Sequence, residues 1–122
     1  DVLACTHNHV WLHHDATAHA EVQAIRQACA AWRDVHLDSA TIYSTTEPCP
    51  MCFTAIHWAR IQRIVYAARV EDARDFGFNE LQIPNRTMCE VSGSTIEIIG
   101  DFLRDEALEI YRHWQQSHGK AY

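Results

Sequence analysis

The chain has 122 residues, 48% of them hydrophobic and 21% charged, a composition that is ordinary for a single globular domain spanning residues 1–122. Its ten Lys and Arg against sixteen Asp and Glu give a net charge of -6, which argues against nucleic-acid binding because phosphate contacts need a basic surface. No apolar run approaches the ~20 residues of a membrane span, and no signal-peptide pattern opens the sequence. The five cysteines are an odd number, which argues against a disulfide framework. We therefore expect a cytoplasmic protein.

The first forty residues predict a strand, a loop and a helix. Val2–Thr6 is predicted as a short strand, and its position at the start of the sequence leads us to expect further residues upstream. The loop at 7–15 contains four histidines, which lack a common register, and we interpret them as surface residues rather than as a second metal site. Thr17 is a typical N-cap, and the apolar stripe of the following helix, which ends near Asp34, consists of Val22, Ile25, Cys29 and Trp32.

The rest of the chain alternates between strand and helix patterns. The segment at 78–91 is predicted to be irregular, because Pro84 and Asn85 are typical of a turn, and a polar tail follows the last helix. This order favours a layered α/β domain with a largely parallel sheet. Strands are predicted at Ala40–Thr45, Arg63–Val70 and Thr95–Ile99, and helices at Pro50–Arg60, at Glu71–Phe76 and after an N-cap at Asp101.

One imidazole and two thiols stand at predicted helix starts. His19 lies near the start of the first helix, and Cys49 and Cys52 are three residues apart around Pro50, which is typical of a first helical turn. One histidine and two cysteines suit zinc and leave the fourth tetrahedral position to water, as in catalytic zinc sites. Glu21 is about 200° from His19 around a helix, so the two side chains converge only if the site lies off the end of the helix.

Glu21 could act as a proton carrier at this predicted site. Zinc lowers the pKa of a bound water toward neutrality, and a carboxylate beside that water can carry its proton during hydrolytic deamination of a ring carbon. The alternative is a structural zinc site with a fourth protein ligand, for which His57 and Cys89 are candidates. In that alternative Glu21 has no role.

The motif His19-Ala20-Glu21 followed by Pro48-Cys49-Pro50-Met51-Cys52 has the H-x-E and P-C-x-x-C pattern of zinc nucleobase deaminases, and on these residues the chain resembles the cytidine-deaminase superfamily. The strings at 15–22 and 47–53 are most similar to its bacterial guanine deaminase and plant guanosine deaminase branch. Tyr66-Ala67-Ala68, Gly77-Phe78 and the C-terminal Tyr122 add to the similarity, which is dense up to residue 80 and thin beyond it.

This resemblance implies a three-layer α/β/α fold whose central sheet is mixed, mostly parallel and five-stranded, with the N-terminal helix and one central strand missing from this chain. It also implies one zinc ion per subunit, held by His19, Cys49 and Cys52 with water as the fourth ligand, and Glu21 as the catalytic residue. The expected assembly is a homodimer that can exchange its C-terminal segments.

The same resemblance assigns five residues to substrate binding. Asn8 matches an asparagine that hydrogen-bonds the base, Phe78 a phenylalanine that stacks on it, and Trp58 an aromatic residue near the purine, while Tyr122 is the implied lid. The branch has Gly-Phe-Asp-Asp where this chain has Gly-Phe-Asn-Glu, so Glu80, one methylene longer, is the carboxylate expected to meet the N1–H and amino group of guanine. Without the resemblance, Asn8 is interpreted as a turn residue, the two aromatics as core residues and Tyr122 as a frayed terminus.

The resulting hypothesis is zinc-dependent hydrolytic deamination of a small-molecule purine base or nucleoside, with guanine converted to xanthine and ammonia released. The alternatives are deamination of adenosine in tRNA, which the acidic charge disfavours, and deamination of another small amino-heterocycle such as cytosine. A structural zinc module for protein interaction is the non-enzymatic alternative.

Overall fold

The computed structural model describes all residues, Asp1–Tyr122, and contains six helices and three strands. None of the helices combines the length and the apolar character needed to cross a membrane. In chain order the elements are α1 (Val10–His13), α2 (Ala20–Trp32), β1 (Thr41–Thr46), α3 (Pro50–Trp58), β2 (Arg63–Ala68), α4 (Val70–Asp75), α5 (Asn85–Ser92), β3 (Glu97–Ile99) and α6 (Arg104–Gln116).

The three strands form one parallel sheet in the order β1-β2-β3. β2 lies in the middle, with Ile64 opposite Ile42 of β1 and Ile98 of β3. All of β2 from Ile64 to Ala68 is buried, which explains its unbroken apolar sequence, because a central parallel strand is covered on both faces. Parallel strands end at the same edge of a sheet, so β1 and β2 deliver the segments that follow them to one side of the molecule.

Helices cover both faces of this sheet. One core cluster joins β1 and β2 to α2 and α3 through apolar side chains that include Ile42, Ile64, Tyr66, Ala28, Phe53 and Ile56. A smaller cluster joins Ala67 and Ala68 of β2 to Ala107 of α6. Because successive residues of a strand face opposite sides, Tyr66 and Ala67 point to different layers. The predicted layered α/β architecture is confirmed.

The sheet differs from the predicted one at the N-terminus. Val2–Thr6, predicted as a strand, forms none, and Val2 is 84% exposed. A strand is stable only when neighbouring strands or packed helices support it, and no strand lies beside these residues. The sheet of this chain therefore has three strands, all parallel, where the resemblance implied five in mixed orientation.

Two short helices lie in segments predicted to be irregular. Pro84 and Asn85, which predict a turn, instead mark the start of α5, with Pro84 as its N-cap residue. Proline is tolerated there because the first amide groups of a helix have no acceptor within the helix. α1 similarly forms a single turn, Val10–His13, inside the histidine-rich loop.

Two predicted N-caps are also wrong, because their side chains are engaged elsewhere. The N-cap residue of α2 is His19 rather than Thr17. The backbone N–H and the hydroxyl of Thr17 both donate to Asp15 Oδ1, at 2.8 and 2.7 Å. α6 begins beyond Asp101, whose carboxylate accepts two hydrogen bonds from the Arg69 guanidinium, at 2.8 and 2.7 Å. In both cases the residue predicted to cap a helix is instead hydrogen-bonded to a charged side chain outside that helix.

Candidate active site

His19 and Cys49 occupy the same position in two different helices. Each is the N-cap residue, of α2 and α3 respectively, and each has an extended backbone, with φ -61 and ψ 153 at His19 and φ -64 and ψ 166 at Cys49. Pro50 follows as the first residue of α3, and Cys52 lies in the first turn. The starts of the two helices therefore direct the side chains of His19, Cys49 and Cys52 to one point. This point lies off the end of α2, where His19 and Glu21 can converge.

The three ligand atoms lie at the distances that a tetrahedral metal ion requires. His19 Nδ1 is 3.6 Å from Cys49 Sγ and 3.6 Å from Cys52 Sγ, and all three atoms lie within 4.8 Å of one another. A tetrahedral zinc ion with bonds of about 2.0 Å to nitrogen and about 2.3 Å to sulfur would separate these atoms by about 3.5 Å. The donor set and its spacing therefore fit zinc.

No fourth protein side chain joins this cluster. His57 is exposed in the last turn of α3, with its ring beside that of Trp58. Cys89 lies on α5, where its thiol donates to the backbone oxygen of Ile96 at 3.7 Å. Both candidates for a structural fourth ligand are thus placed elsewhere, and a three-ligand set is typical of catalytic zinc rather than structural zinc.

Hydrogen bonds link the three side chains and shift their pKa values. A hydrogen bond from the Cys52 thiol, followed by one from His19, lowers the pKa of Cys49 to about 4. The bond to Cys49 raises the pKa of His19, and donation to Cys49 together with burial raises the pKa of Cys52. The lowered pKa of Cys49 favours its thiolate, the form that binds metals.

Glu21 lies in the first turn of α2, two residues after His19, and is half-buried beside the cluster. Burial is the main cause that raises the pKa of its carboxyl group, and the negative charge of Cys49 adds to the effect. The Ser44 hydroxyl on β1 donates to Glu21 Oε1 at 3.4 Å. A carboxyl group with a raised pKa is suited to take up and return a proton near neutral pH.

A cavity of about 540 Å³ opens in front of the cluster. It is lined by His19, Glu21 and Cys49 and by four of the five residues expected to bind substrate, Asn8, Phe78, Glu80 and Tyr122. The fifth, Trp58, does not line it and is 76% exposed. Trp58 lies six residues beyond Cys52 on the same helix, which places it about 240° around the helix from Cys52 and about 9 Å along the axis.

Asn8 and Phe78 hold the chain terminus inside the cavity. The Asn8 amide donates to the Tyr122 hydroxyl, while Asn8 Oδ1 accepts the N–H of Val10 at 3.0 Å and so orders the start of α1. Asn8 is therefore both a turn residue and a cavity residue. The Phe78 ring lies 5.3 Å from the Tyr122 ring in an edge-on arrangement and 5.1 Å from the Trp114 ring.

The C-terminal segment, residues 119–122, lies across the cavity of its own chain. The backbone N–H of Asn79 donates to the main-chain oxygen of Tyr122 at 2.9 Å, and the Tyr122 ring is 5.6 Å from the ring of His19. Trp11 donates through Nε1 to the backbone oxygen of Lys120 at 2.9 Å, and the Lys120 ammonium lies 3.9 Å from the centre of the Trp11 ring. The last residues thus form a lid in this single chain.

Glu80 is half-buried in the same cavity. Burial, and after it the negative charge of Cys49, raises the pKa of its carboxyl group to about 7. A carboxyl group in this range is ready to ionise when a ligand offers it two hydrogen-bond donors.

Three aromatic residues of the cavity were not predicted from the sequence as site residues. Trp114 lies on α6. Tyr111, one turn earlier, bears a hydroxyl group that hydrogen-bonds Thr46 Oγ1 at 2.6 Å. Trp11 lies in the histidine-rich loop. The only sequence signal for Tyr111 and Trp114 is their spacing of three residues, which places both on one face of α6. That spacing is equally typical of residues that face a core, so it does not indicate a cavity.

The α/β/α fold and the His-Cys-Cys cluster at two helix starts define a protein of the cytidine-deaminase-like class. The model of the MafB19-like deaminase family matches residues 1–106, and the chain belongs to that family.

Similar proteins include deaminases with two kinds of substrate. Guanine deaminase of Bacillus subtilis is 46% identical over 79 residues, which cover 65% of this chain and 51% of that protein. A tRNA-specific adenosine deaminase of Agrobacterium fabrum is 46% identical over 68 residues, which cover 56% of this chain and 45% of that protein. The crystal structure of a mutant of NE0047 in complex with 8-azaguanine is similar at a TM-score of 0.85 and 28% identity, covering 94% of this chain and 66% of the other. The chain spans about half the length of the curated relatives it matches.

Proposed function

We propose that this chain catalyses zinc-dependent hydrolytic deamination of a purine base, converting guanine to xanthine with release of ammonia. The observation that carries the proposal is the three-ligand cluster, with Glu21 beside it, at one end of an aromatic-lined cavity. The similarity to a guanine deaminase, and to a structure that binds 8-azaguanine, supports guanine as the first substrate. A purine nucleoside such as guanosine is the next candidate.

The zinc ion would be held by His19, Cys49 and Cys52, and the lowered pKa of Cys49 favours the thiolate that binds it. When bound, zinc would supply Lewis acidity and a water of lowered pKa. Glu21 takes one proton from the attacking water and gives it to a ring nitrogen. It then takes the remaining proton of the added hydroxyl and gives it to the amine, which leaves as ammonia as the carbonyl forms. The hydroxyl of Ser44 orients one carboxylate oxygen of Glu21 during these transfers.

Phe78 and Asn8 position the base in this proposal. The Phe78 ring stacks on the purine, and the Asn8 amide, now bonded to Tyr122, exchanges that partner for a polar atom of the base. Glu80 accepts hydrogen bonds from N1–H and from the amino group, an interaction that favours its ionised form. Tyr122 closes the cavity and excludes water. Trp58 has no place in this set.

Deamination of adenosine in tRNA is the second candidate, because tRNA-specific adenosine deaminases are among the similar proteins. The net charge of -6 speaks against it, since phosphate contacts supply most of the affinity for a polynucleotide. Cytosine remains a further small-molecule alternative. The structural zinc module requires a fourth protein ligand, and the three-residue cluster provides none.

The assembly and the location of the protein remain predictions. A homodimer is expected from the resemblance, with or without exchanged C-terminal segments. The lid of residues 119–122 covers its own chain's cavity here, so an unexchanged dimer is the simpler arrangement. A cytoplasmic location is expected from the unpaired cysteines.

The proposal is tested by ammonia release from a panel of guanine, guanosine, adenosine, cytosine and adenosine-containing tRNA, with zinc-loaded protein. We expect turnover of guanine or guanosine well above that of the others. A gel-shift titration against tRNA runs in parallel, and we expect no tight, salt-sensitive complex. Turnover of the tRNA with no turnover of any guanine compound would reverse the order of the two candidates.

A further inference from the structure

Glu47 is a carboxylate buried directly before the metal-binding loop. It is 3% exposed, and its backbone N–H extends the pairing of β1 and β2 by donating to the oxygen of Ala68 at 2.7 Å. Its two side-chain oxygens face the starts of two helices. Oε2 accepts the N–H of Val70 at 3.0 Å and Oε1 accepts the N–H of Asn85 at 2.8 Å. A buried carboxylate is tolerated only with such donors, so Glu47 ties α4 and α5 to the end of β1.

α5 has no side-chain cap of its own. Its N-cap residue is Pro84, which carries no polar side chain, although the first amide groups of a helix normally bond to a nearby Ser, Thr, Asn or Asp. Glu47, 38 residues earlier in the chain, takes this role. The position of the first residue of α5, Asn85, is therefore set by the strand that leads into the metal-binding loop.

The Asn85 side chain returns to that loop. It is fully buried, and its Nδ2 donates to the backbone oxygen of Pro48 at 2.6 Å. Its Oδ1 has no hydrogen-bond partner. A buried acceptor without a partner destabilises a fold. The bond from Nδ2 to Pro48 is therefore the one favourable hydrogen bond that the Asn85 side chain makes.

The oxygen of Pro48 belongs to the peptide plane that enters Cys49. Because a peptide bond is planar, holding the oxygen of Pro48 also fixes the direction of the Cys49 N–H and Cα. The backbone angles of Cys49 then direct its Sγ to within 3.6 Å of His19 Nδ1. The contacts form a continuous path from Glu47 through Asn85 and Pro48 to the thiolate.

We propose that Asn85, held in place by Glu47, is a positioning residue for the metal site, and that it acts by fixing the Pro48–Cys49 peptide. The inference rests on the zinc site proposed above. Groups that orient metal ligands typically change metal affinity by about 10- to 100-fold when they are removed.

The test is Asn85→Leu in the full chain. Leucine has a similar volume and no polar atom, and it leaves the backbone N–H that Glu47 accepts. We measure the rate at which zinc is lost to a chromophoric chelator and, after cobalt substitution, the thiolate-to-cobalt absorption bands. We expect zinc release to be faster by about tenfold or more and the cobalt bands to shift.

Ile64→Val is the matched control, since it removes one methyl group from a fully buried side chain in the middle of the sheet. It should lower the melting temperature without changing zinc release or the cobalt bands. If Asn85→Leu does not fold, Asn85→Ala removes the same bond. A folded Asn85 variant with the release rate and spectrum of the unchanged protein overturns the positioning role. Unchanged protein that binds neither zinc nor cobalt overturns the metal site itself.

Discussion

Glu21 and Glu80 are two carboxyl groups of one cavity, and their neighbours give them different tasks. Glu21 stands in the first turn of α2 beside His19, a candidate metal ligand, and receives a hydrogen bond from Ser44. Glu80 lies two residues beyond Phe78, the ring expected to stack on the base, and lines the same cavity. Burial is the first cause of a raised pKa in both. Their positions therefore favour proton transfer for Glu21 and recognition for Glu80.

Replacement of Glu21 tests the first of these tasks. Glutamine keeps the size of the side chain but cannot carry a proton, so Glu21→Gln should lower kcat by about 10²- to 10⁴-fold. Zinc content, measured by elemental analysis, should stay unchanged, because Glu21 is not in the ligand cluster. Glu106→Gln, an exposed carboxylate on α6, is the control and should be fully active. Near-normal turnover by the Glu21 variant would refute its role.

The raised pKa of Glu80 predicts a pH-dependent effect on stability. Folding raises this pKa from 4.5 to about 7. A carboxyl group of this kind destabilises the fold when it ionises, fully above about pH 7 and not at all below about pH 4.5. In zinc-free protein, Glu80→Gln should therefore raise the melting temperature at about pH 8 and change it much less at about pH 5. Thermal unfolding followed by circular dichroism measures both, and equal shifts at the two pH values would contradict the assignment.

At the level of elements, the C-terminal segment of residues 119–122 depends on close packing at a glycine. A Cβ atom at Gly119 would lie 2.1 Å from the ring of Trp114, and the Gly119 N–H donates to the Trp114 oxygen at 2.9 Å. A residue with a side chain fits there only if the Trp114 ring or the tail shifts. Tyr122 and Lys120 would move with it.

Gly119→Ala is therefore expected to open the lid. The Cβ clash should displace Tyr122 and lower kcat/KM on guanine by about 10- to 100-fold, because small displacements of positioning groups are costly. Lys120 is the single lysine of the chain, so its reaction with an amine reagent reports the tail directly and should become faster. His118→Ala, at an exposed neighbouring residue, should change neither quantity. An unchanged Lys120 reactivity in the glycine variant would show that the lid does not depend on this packing.

The elements that hold the candidate metal ligands could be predicted because their signals are local. Pro50 in a first turn, and the separation of His19 and Glu21 around a helix, predict two helix ends that meet, and α2 and α3 begin at those residues. The start of α5 could not be predicted, since its capping group is Glu47, a residue distant in sequence. The strand prediction for Val2–Thr6 is wrong for a related reason, because a strand is stable only beside a neighbouring strand or helix.

At the scale of the whole molecule, the sequence predicts the layers but not the contacts that close the cavity. Asn8 and Tyr122 meet across almost the full length of the chain, and no periodic pattern encodes such a pair. Their joint assignment to the site came from a resemblance to relatives. The same resemblance placed Trp58 near the purine, whereas the helix that carries it turns it to the surface. The motif brings the three candidate metal ligands together, and four of the five residues assigned to substrate binding line the cavity.

Zinc-dependent turnover of guanine is the property on which the proposed function of this cavity depends, and it can be measured in a single experiment. Guanine is incubated with the protein in its zinc-loaded form, after chelation and after zinc is restored, and ammonia and xanthine are quantified together. We predict equal amounts of the two products from the loaded protein, loss of both on chelation and recovery on reloading. Protein that retains one zinc ion per chain and releases no ammonia from guanine would contradict the account.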